Sequence, residues 1–418
     1  MLFFWLYLCS LIIAPQLWLE PFVGLRTDVL LFPLWFLWLL ATGRAADLVR
    51  LRSQDWFFLA FVAWMVVSIV VNPPNPYAEL LITTYAKWFV LYRFVIATVP
   101  SLARIRTTLL LLLAIGLLIA VEGIQHMHSE DGLGWAGQSF AWMDEQAAAA
   151  GLAGRTRWVG IFDGPGVFCV IYTITLPVAM HLAMPPFGWV TRFAGAGMTG
   201  LLLLATYYTG SRGGFLATVG VFGLFLLTRL NISVPRMMLA VGAMLVVFLA
   251  APSHLTSTSD SHGSAQHRVS MWGEGIEMVE QNPVFGIGRG KFASYTGRLI
   301  AHNSGIEIMG EMGLPGIFLW LGMIYLAYRN IFAARAGIED PKDRAYLMAL
   351  ALALAGYLLS SLFVTLEYET LYILLALAAA AGRHAKVPPP FTRRDALFVA
   401  GIVVAFFVGF KSLVMLYF

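Results

Sequence analysis

Thr107–Gln125 reads TTLLLLLAIGLLIAVEGIQ, an apolar run interrupted by one carboxylate, Glu122. A helix needs about 20 such residues, at a rise of about 1.5 Å each, to cross the hydrocarbon core of a bilayer. Lipid offers no hydrogen bonds, so a segment this apolar must satisfy its own backbone, which a helix does. Working outward, comparable runs lie near 2–19, 27–43, 55–72, 79–98, 165–184, 193–210, 214–230, 237–251, 304–328, 345–364, 370–382 and 396–416. Together they predict twelve or thirteen spans. The short 370–382 run can pair with its predecessor as a bent hairpin, and the N-terminal run can lie partly in the interface.

Composition supports this reading. Of 418 residues, 59% are hydrophobic and 12% charged, with mean hydropathy +0.77. That is beyond the apolar share of a soluble domain. The predicted fold class is all-α, a polytopic transmembrane helix bundle, read as a single integral membrane domain over 1–418. Met1–Leu6 lacks the charged start of a signal peptide and reads as a retained first span. The two cysteines, Cys9 and Cys169, lie in apolar runs, which argues against a disulfide framework or a thiolate metal site. The net charge of +4 and pI near 9.0 do not point to nucleic acid, because the basic residues fall in short loops.

Those loops set the orientation. Alternating from a cytoplasmic N-terminus puts Arg44, Arg50, Arg52, Arg104, Arg106, Arg192, Arg229 and Arg236 inside. Arg329, Arg335, Lys342, Arg344, Arg383, Lys386, Arg393 and Arg394 follow the same pattern, making sixteen of the 27 Lys and Arg residues. This satisfies the positive-inside rule. Two long loops, about 126–164 and 252–303, then face outward, and Gln146–Ala150 in the first reads as a short helix. Internal repeats are not apparent, which gives no support to an inverted-repeat transporter.

The polar residues of the outer side carry the candidate chemistry. Arg155 and Arg157 precede the span at 165–184, either as a solvated pair near headgroups or as an anion site, since guanidinium forks hold phosphate oxygens bidentately. Arg212 lies in the turn Ser211-Arg212-Gly213-Gly214, where two spans meet with almost no loop. It can snorkel to headgroups, or bind a ligand that the glycines let approach. His267–Met278 reads as an amphipathic segment opened by Arg268, with Trp272 and Met278 on its buried side. The Asn282–Phe292 stretch alternates glycines and reads as a turn able to form a backbone anion nest.

Ala301–Gly316 begins His302-Asn303-Ser304 and runs into an apolar helix carrying Glu307 and Glu311. Membranes hold such groups at a cost, so they read as functional by default. His302 suits a general base, with a packed histidine satisfied by a carbonyl as the alternative. Glu307 and Glu311 share a helix face; Glu307 can orient His302 or pair with an arginine, and simple ion pairing is open to both. Glu367 faces outward beside this segment. His126 and His128 lack a further ligand set, so neither a metal nor another cofactor is expected.

The outer motifs resemble those of the bacterial O-antigen ligase and polymerase superfamily. The resemblance rests on Ser211-Arg212-Gly213-Gly214, on Arg268…Trp272…Asn282-Pro283…Gly286-Ile287-Gly288…Phe292, and on His302-Asn303…Glu307…Glu311-Met312-Gly313-Leu314-Pro315-Gly316, in order and spacing. Arg155–Gly166 is similar too, although Gly164 and Gly166 stand where the family often has asparagines. The resemblance implies a glycosyltransferase with a GT-C-like fold in the bacterial inner membrane, its two large loops forming a periplasmic active-site face. It implies an undecaprenyl-diphosphate-linked oligosaccharide donor, bound by Arg212 and Arg268, and His302 as base for the acceptor hydroxyl. Arg155 and Arg157 are further diphosphate candidates, and Trp158, Trp272 and Glu367 are candidates for sugar or acceptor binding. Trp135, Trp142, Trp158 and Trp272 can stack on sugars or form an interfacial belt.

The expected reaction is metal-independent and inverting, polymerising O-antigen or exopolysaccharide repeat units. Ligation of glycan to lipid A-core, or to protein hydroxyls, is the alternative. A transporter or flippase for lipid-linked glycans is the reading from a different class; it would place its charges mid-membrane, whereas here they collect at one surface.

Overall fold

The computed structural model describes residues 1–129, 155–158, 160–162, 164–230, 258–297, 300–386 and 390–417, with side chains from 267 onward in the helix that starts at Thr258. The expected span at 237–251, the short helix at Gln146–Ala150, Trp135 and Trp142 lie outside them.

The regular elements described are helices, thirteen of them eleven residues or longer. They are α1 (Leu2–Ile12), α2 (Thr27–Ala41), α3 (Ser53–Val71), α4 (Ala78–Thr98), α5 (Leu102–His126), α6 (Pro165–Leu182), α7 (Trp189–Tyr208), α8 (Arg212–Leu230), α9 (Thr258–Gln281), α10 (Ser304–Gly337), α11 (Pro341–Ser361), α12 (Glu369–Ala381) and α13 (Arg393–Tyr417). Eight of the described helices are long and apolar enough to cross a membrane, namely α3, α4, α5, α6, α8, α10, α11 and α13. The chain is a polytopic helical membrane protein, as its periodicity and run lengths predict. One expected span is cut short. The run at 2–19 is helical only to Ile12, because Pro15 supplies no N–H and disfavours helical geometry at the residue before it; Ala14 sits at φ 52° and a 3₁₀ turn, Pro15–Leu17, follows.

The chain forms two compact units. The first comprises 1–45, 98–258 and 338–360. Its centre is α6, buried along its length from Phe168 to Leu182 and packed against α5, α7 and α8. Small residues let backbones meet here. A Cβ on Gly195 would stand 2.5 Å from the Ala183 nitrogen, and one on Gly214 would stand 2.3 Å from Cys169 Sγ.

The second unit comprises 46–97, 259–337 and 361–418. It is organised on α10, which packs against α3, α12 and α13. This helix is broken at Gly313, whose φ of 69° and ψ of −172° are non-helical. Pro315 explains the break, since its ring clashes with the carbonyl four residues back, that of Glu311. The freed groups are recovered by neighbours. Ile287 N–H donates to Gly310 O at 3.1 Å, Gly288 N–H to Glu311 O at 3.0 Å, and Leu314 N–H to Pro283 O at 2.8 Å. Ser68 Oγ also donates to Glu311 O, and Trp64 Nε1 to Met312 O, both at 2.9 Å. Irregular backbone in a membrane protein survives when buried against such partners.

Candidate functional site

In the first unit, the turn between α7 and α8 positions Arg212. Gly210, at φ 58°, ends α7 in the left-handed conformation that glycine adopts without a Cβ penalty. Ser211 Oγ accepts from Gly214 N–H at 3.1 Å, capping α8 so that Arg212 stands at its first position. The positive end of the α8 dipole therefore coincides with the Arg212 charge. Thr156 N–H donates to Tyr208 O at 3.0 Å, which ties the Arg155 segment to the same turn. The Arg155 side chain lies over Gly210, 3.0 Å from where a Cβ would be. Its pKa is lowered by burial and by the nearby charge of Arg212. Both guanidinium residues are half-buried, as is Arg157.

Trp158 has a different role from the one expected. It is 1% exposed, donates its indole N–H to Ile13 O at 3.2 Å and meets Trp18 edge to face. A ring so covered belongs to the packing of its unit and presents no face to a sugar.

In the second unit, α9 and the start of α10 bring Arg268, Trp272 and His302 together. Gly275 permits this approach, since a Cβ there would stand 2.3 Å from Ile306 Cγ2. Trp272 Nε1 donates to Ala301 O at 3.1 Å, and its ring meets Phe410 edge to face. Asn303 caps α10, its Oδ1 accepting from Ile306 N–H at 3.1 Å. His302, directly before the cap, is half-buried and adopts φ 50°. Its imidazole pKa is pushed down to about 4 by burial and by the charges of Arg268 and His267. At neutral pH the ring is therefore uncharged and able to accept a proton.

The carboxylates behind His302 are committed elsewhere. Glu307 accepts from Thr365 Oγ1 at 2.8 Å and makes no hydrogen bond to His302. Glu311, 1% exposed, pairs with Arg289 and also accepts from Phe292 N–H at 2.7 Å. Glu367 pairs with the same guanidinium and accepts from Tyr85 OH, in place of the sugar hydroxyl expected for it. Burial alone would lower the Arg289 pKa, but Glu367, Tyr85 and Glu311 raise it well above the ordinary value.

The anion nest expected over Asn282–Phe292 is also corrected. Gly286, Gly288 and Gly290 have positive φ, yet the N–H groups of Gly286, Ile287 and Gly288 donate to protein carbonyls. A Cβ on Gly286 would stand 2.2 Å from the Glu311 carbonyl carbon, so the glycine serves backbone docking. Sequence reasoning missed Arg289 and Tyr85. The available signal was a cation set in a glycine turn ahead of a helix carrying two carboxylates.

Residues 197–321 match the family model described as O-antigen ligase. This segment is similar to the O-antigen ligase and polymerase superfamily and covers less than a third of the chain. The matched residues contain Arg212, Arg268, Arg289, His302, Glu307 and Glu311, and exclude Arg155, Arg157 and Glu367. No curated protein matches the chain. The match and the eight long apolar helices together support a multi-pass membrane protein of the ligase and polymerase type.

Proposed function

We propose that the chain is an inverting, metal-independent glycosyltransferase of the inner membrane, working at the periplasmic face on an undecaprenyl-diphosphate-linked oligosaccharide. The observation that carries this reading is a half-buried His302 whose neighbour Ala301 is bonded by Trp272, one turn after Arg268 on α9. An acceptor hydroxyl attacks C1 of the donor sugar and passes its proton to the imidazole. The C1–O bond breaks, and the electron pair leaves with the diphosphate. Negative charge grows on the leaving group, and a preorganised cation stabilises it most in the transition state. Arg268 supplies that cation next to the base. Arg212, with Arg155 and Arg157, is assigned to diphosphate binding on two grounds: the resemblance of the Ser211–Gly214 turn to the family motif, and the like charges of Arg155 and Arg212, which an anion relieves. Trp272 lines the His302 segment and is assigned to the sugar.

The acceptor we favour is a hydroxyl of another repeat unit, so the product is a longer O-antigen or exopolysaccharide chain. The description of the matched family model favours a second acceptor, lipid A-core. His302→Ala in the native host, followed by glycan analysis, tests both. Loss of polymerase activity leaves core capped by a single repeat unit, whereas loss of ligase activity leaves long polymer on the lipid carrier. Wild-type glycan in both pools removes His302 from the reaction.

A further inference from the structure

His302 is one of two non-glycine residues with positive φ among those described. The left-handed region is costly for such a residue, and the conformation persists only where surrounding contacts fix it. Those contacts come from residues 362–367. Asn303 Nδ2 donates to Leu362 O at 3.3 Å, and Ser304 Oγ accepts from Leu366 N–H at 2.7 Å while donating to Leu366 O at 3.2 Å. Thr365 Oγ1 reaches Glu307 at 2.8 Å, one turn further along α10. The segment is thus laced to the first turn of the helix that His302 precedes.

Arg289 closes the lacing. One nitrogen of its guanidinium pairs with Glu311 on α10, and the other pairs with Glu367 at the end of the segment. Tyr85 OH also donates to Glu367. Arg289 and Glu311 side chains are 5% and 1% exposed, and Glu367 is 9% exposed, so the bridge is shielded from water. A planar fork can hold two carboxylates in fixed relative positions, which a lysine ammonium cannot reproduce.

We infer that Arg289 is a positioning residue for His302: by bridging Glu311 to Glu367 it holds the 362–367 segment on α10 and so fixes the left-handed backbone that aims the imidazole. The inference builds on the role proposed for His302. It acts on geometry alone, since neither Arg289 nor Glu367 contacts the imidazole.

The test uses the full chain in detergent, with Arg289→Lys, Glu367→Gln and the milder Thr365→Val. Two readouts are taken. The first, independent of turnover, is the rate at which diethyl pyrocarbonate modifies His302, followed by peptide mass spectrometry with His267 as internal reference. The second is donor turnover, alone and combined with His302→Ala. Each variant that folds is expected to change the His302 modification rate severalfold relative to His267. Glu367→Gln is expected to lower kcat about tenfold with donor KM nearly unchanged, as misaligned catalytic groups do, and to have no further effect once His302 is alanine. An unchanged modification rate in Thr365→Val and Glu367→Gln overturns the inference, as does full additivity with His302→Ala. Full turnover by His302→Ala alone instead overturns the base assignment, and the modification rate still judges the positioning.

Discussion

Two arginine settings in this molecule differ in how their charge is balanced. In the second unit, Arg289 is buried between two carboxylates and a tyrosine hydroxyl, and its cation is favoured by them. In the first unit, Arg155 lies half-buried within the field of another cation, Arg212, and its cation is disfavoured. A guanidinium held between two buried carboxylates is not available to an anionic ligand and serves as a fastening. Like charges gathered at a helix N-terminus raise the energy of the unliganded protein, and a bound anion lowers it. Burial and conservative chemistry therefore say less about an arginine's role than the sign of what surrounds it.

The contrast breaks most visibly at Arg289. Removing one partner of a buried ionic cluster leaves uncompensated charge at a cost of about 3–5 kcal/mol. Arg289→Ala is expected to lower the thermal unfolding midpoint in detergent sharply, and an unfolding curve like wild type would show that the cluster is not a fastening.

Arg212→Ala should do the reverse. Loss of one preorganised donor to a developing anion costs about 10²–10³-fold in rate, so donor turnover should fall by that order while the unfolding midpoint hardly moves. Unfolding comparable to that of Arg289→Ala, with donor affinity retained, would place both arginines in the same structural class.

Arg268 sharpens the comparison with the smallest effect. Its charge helps to hold the His302 pKa near 4 in the free protein. The acid limb of kcat/KM, which reports the free enzyme, should therefore lie near pH 4. A diphosphate on Arg268 cancels part of that field, and the imidazole then binds protons more readily. The acid limb of kcat should accordingly lie at higher pH, by about one unit. Coincident limbs would mean that the bound donor leaves the Arg268 field at His302 intact.

The legibility of the site followed the range of the interactions involved. His302, Arg268 and Arg212 stand at motif positions that can be read locally. Glu307 and Glu311 were readable as a shared helix face, but their partners were not. Thr365 lies 58 residues from Glu307, and Arg289 lies 78 residues from Glu367 and 204 from Tyr85. No periodicity carries pairing over such separations. Trp158 shows the same limit, because an aromatic residue beside an arginine pair reads as a sugar platform until its contact with Ile13 is seen.

What the sequence determined by itself was the membrane class, the helical elements and the family motif. Lipid admits few solutions for a backbone, so apolar run length alone selects the helix. Only the tertiary structure decided which carboxylates hold Arg289, why α10 breaks at Gly313 and who receives its carbonyls, and that His302 is held in a left-handed conformation. The physical reason is that apolar burial is a property of each segment, whereas charge compensation and backbone strain are properties of what packing brings alongside it.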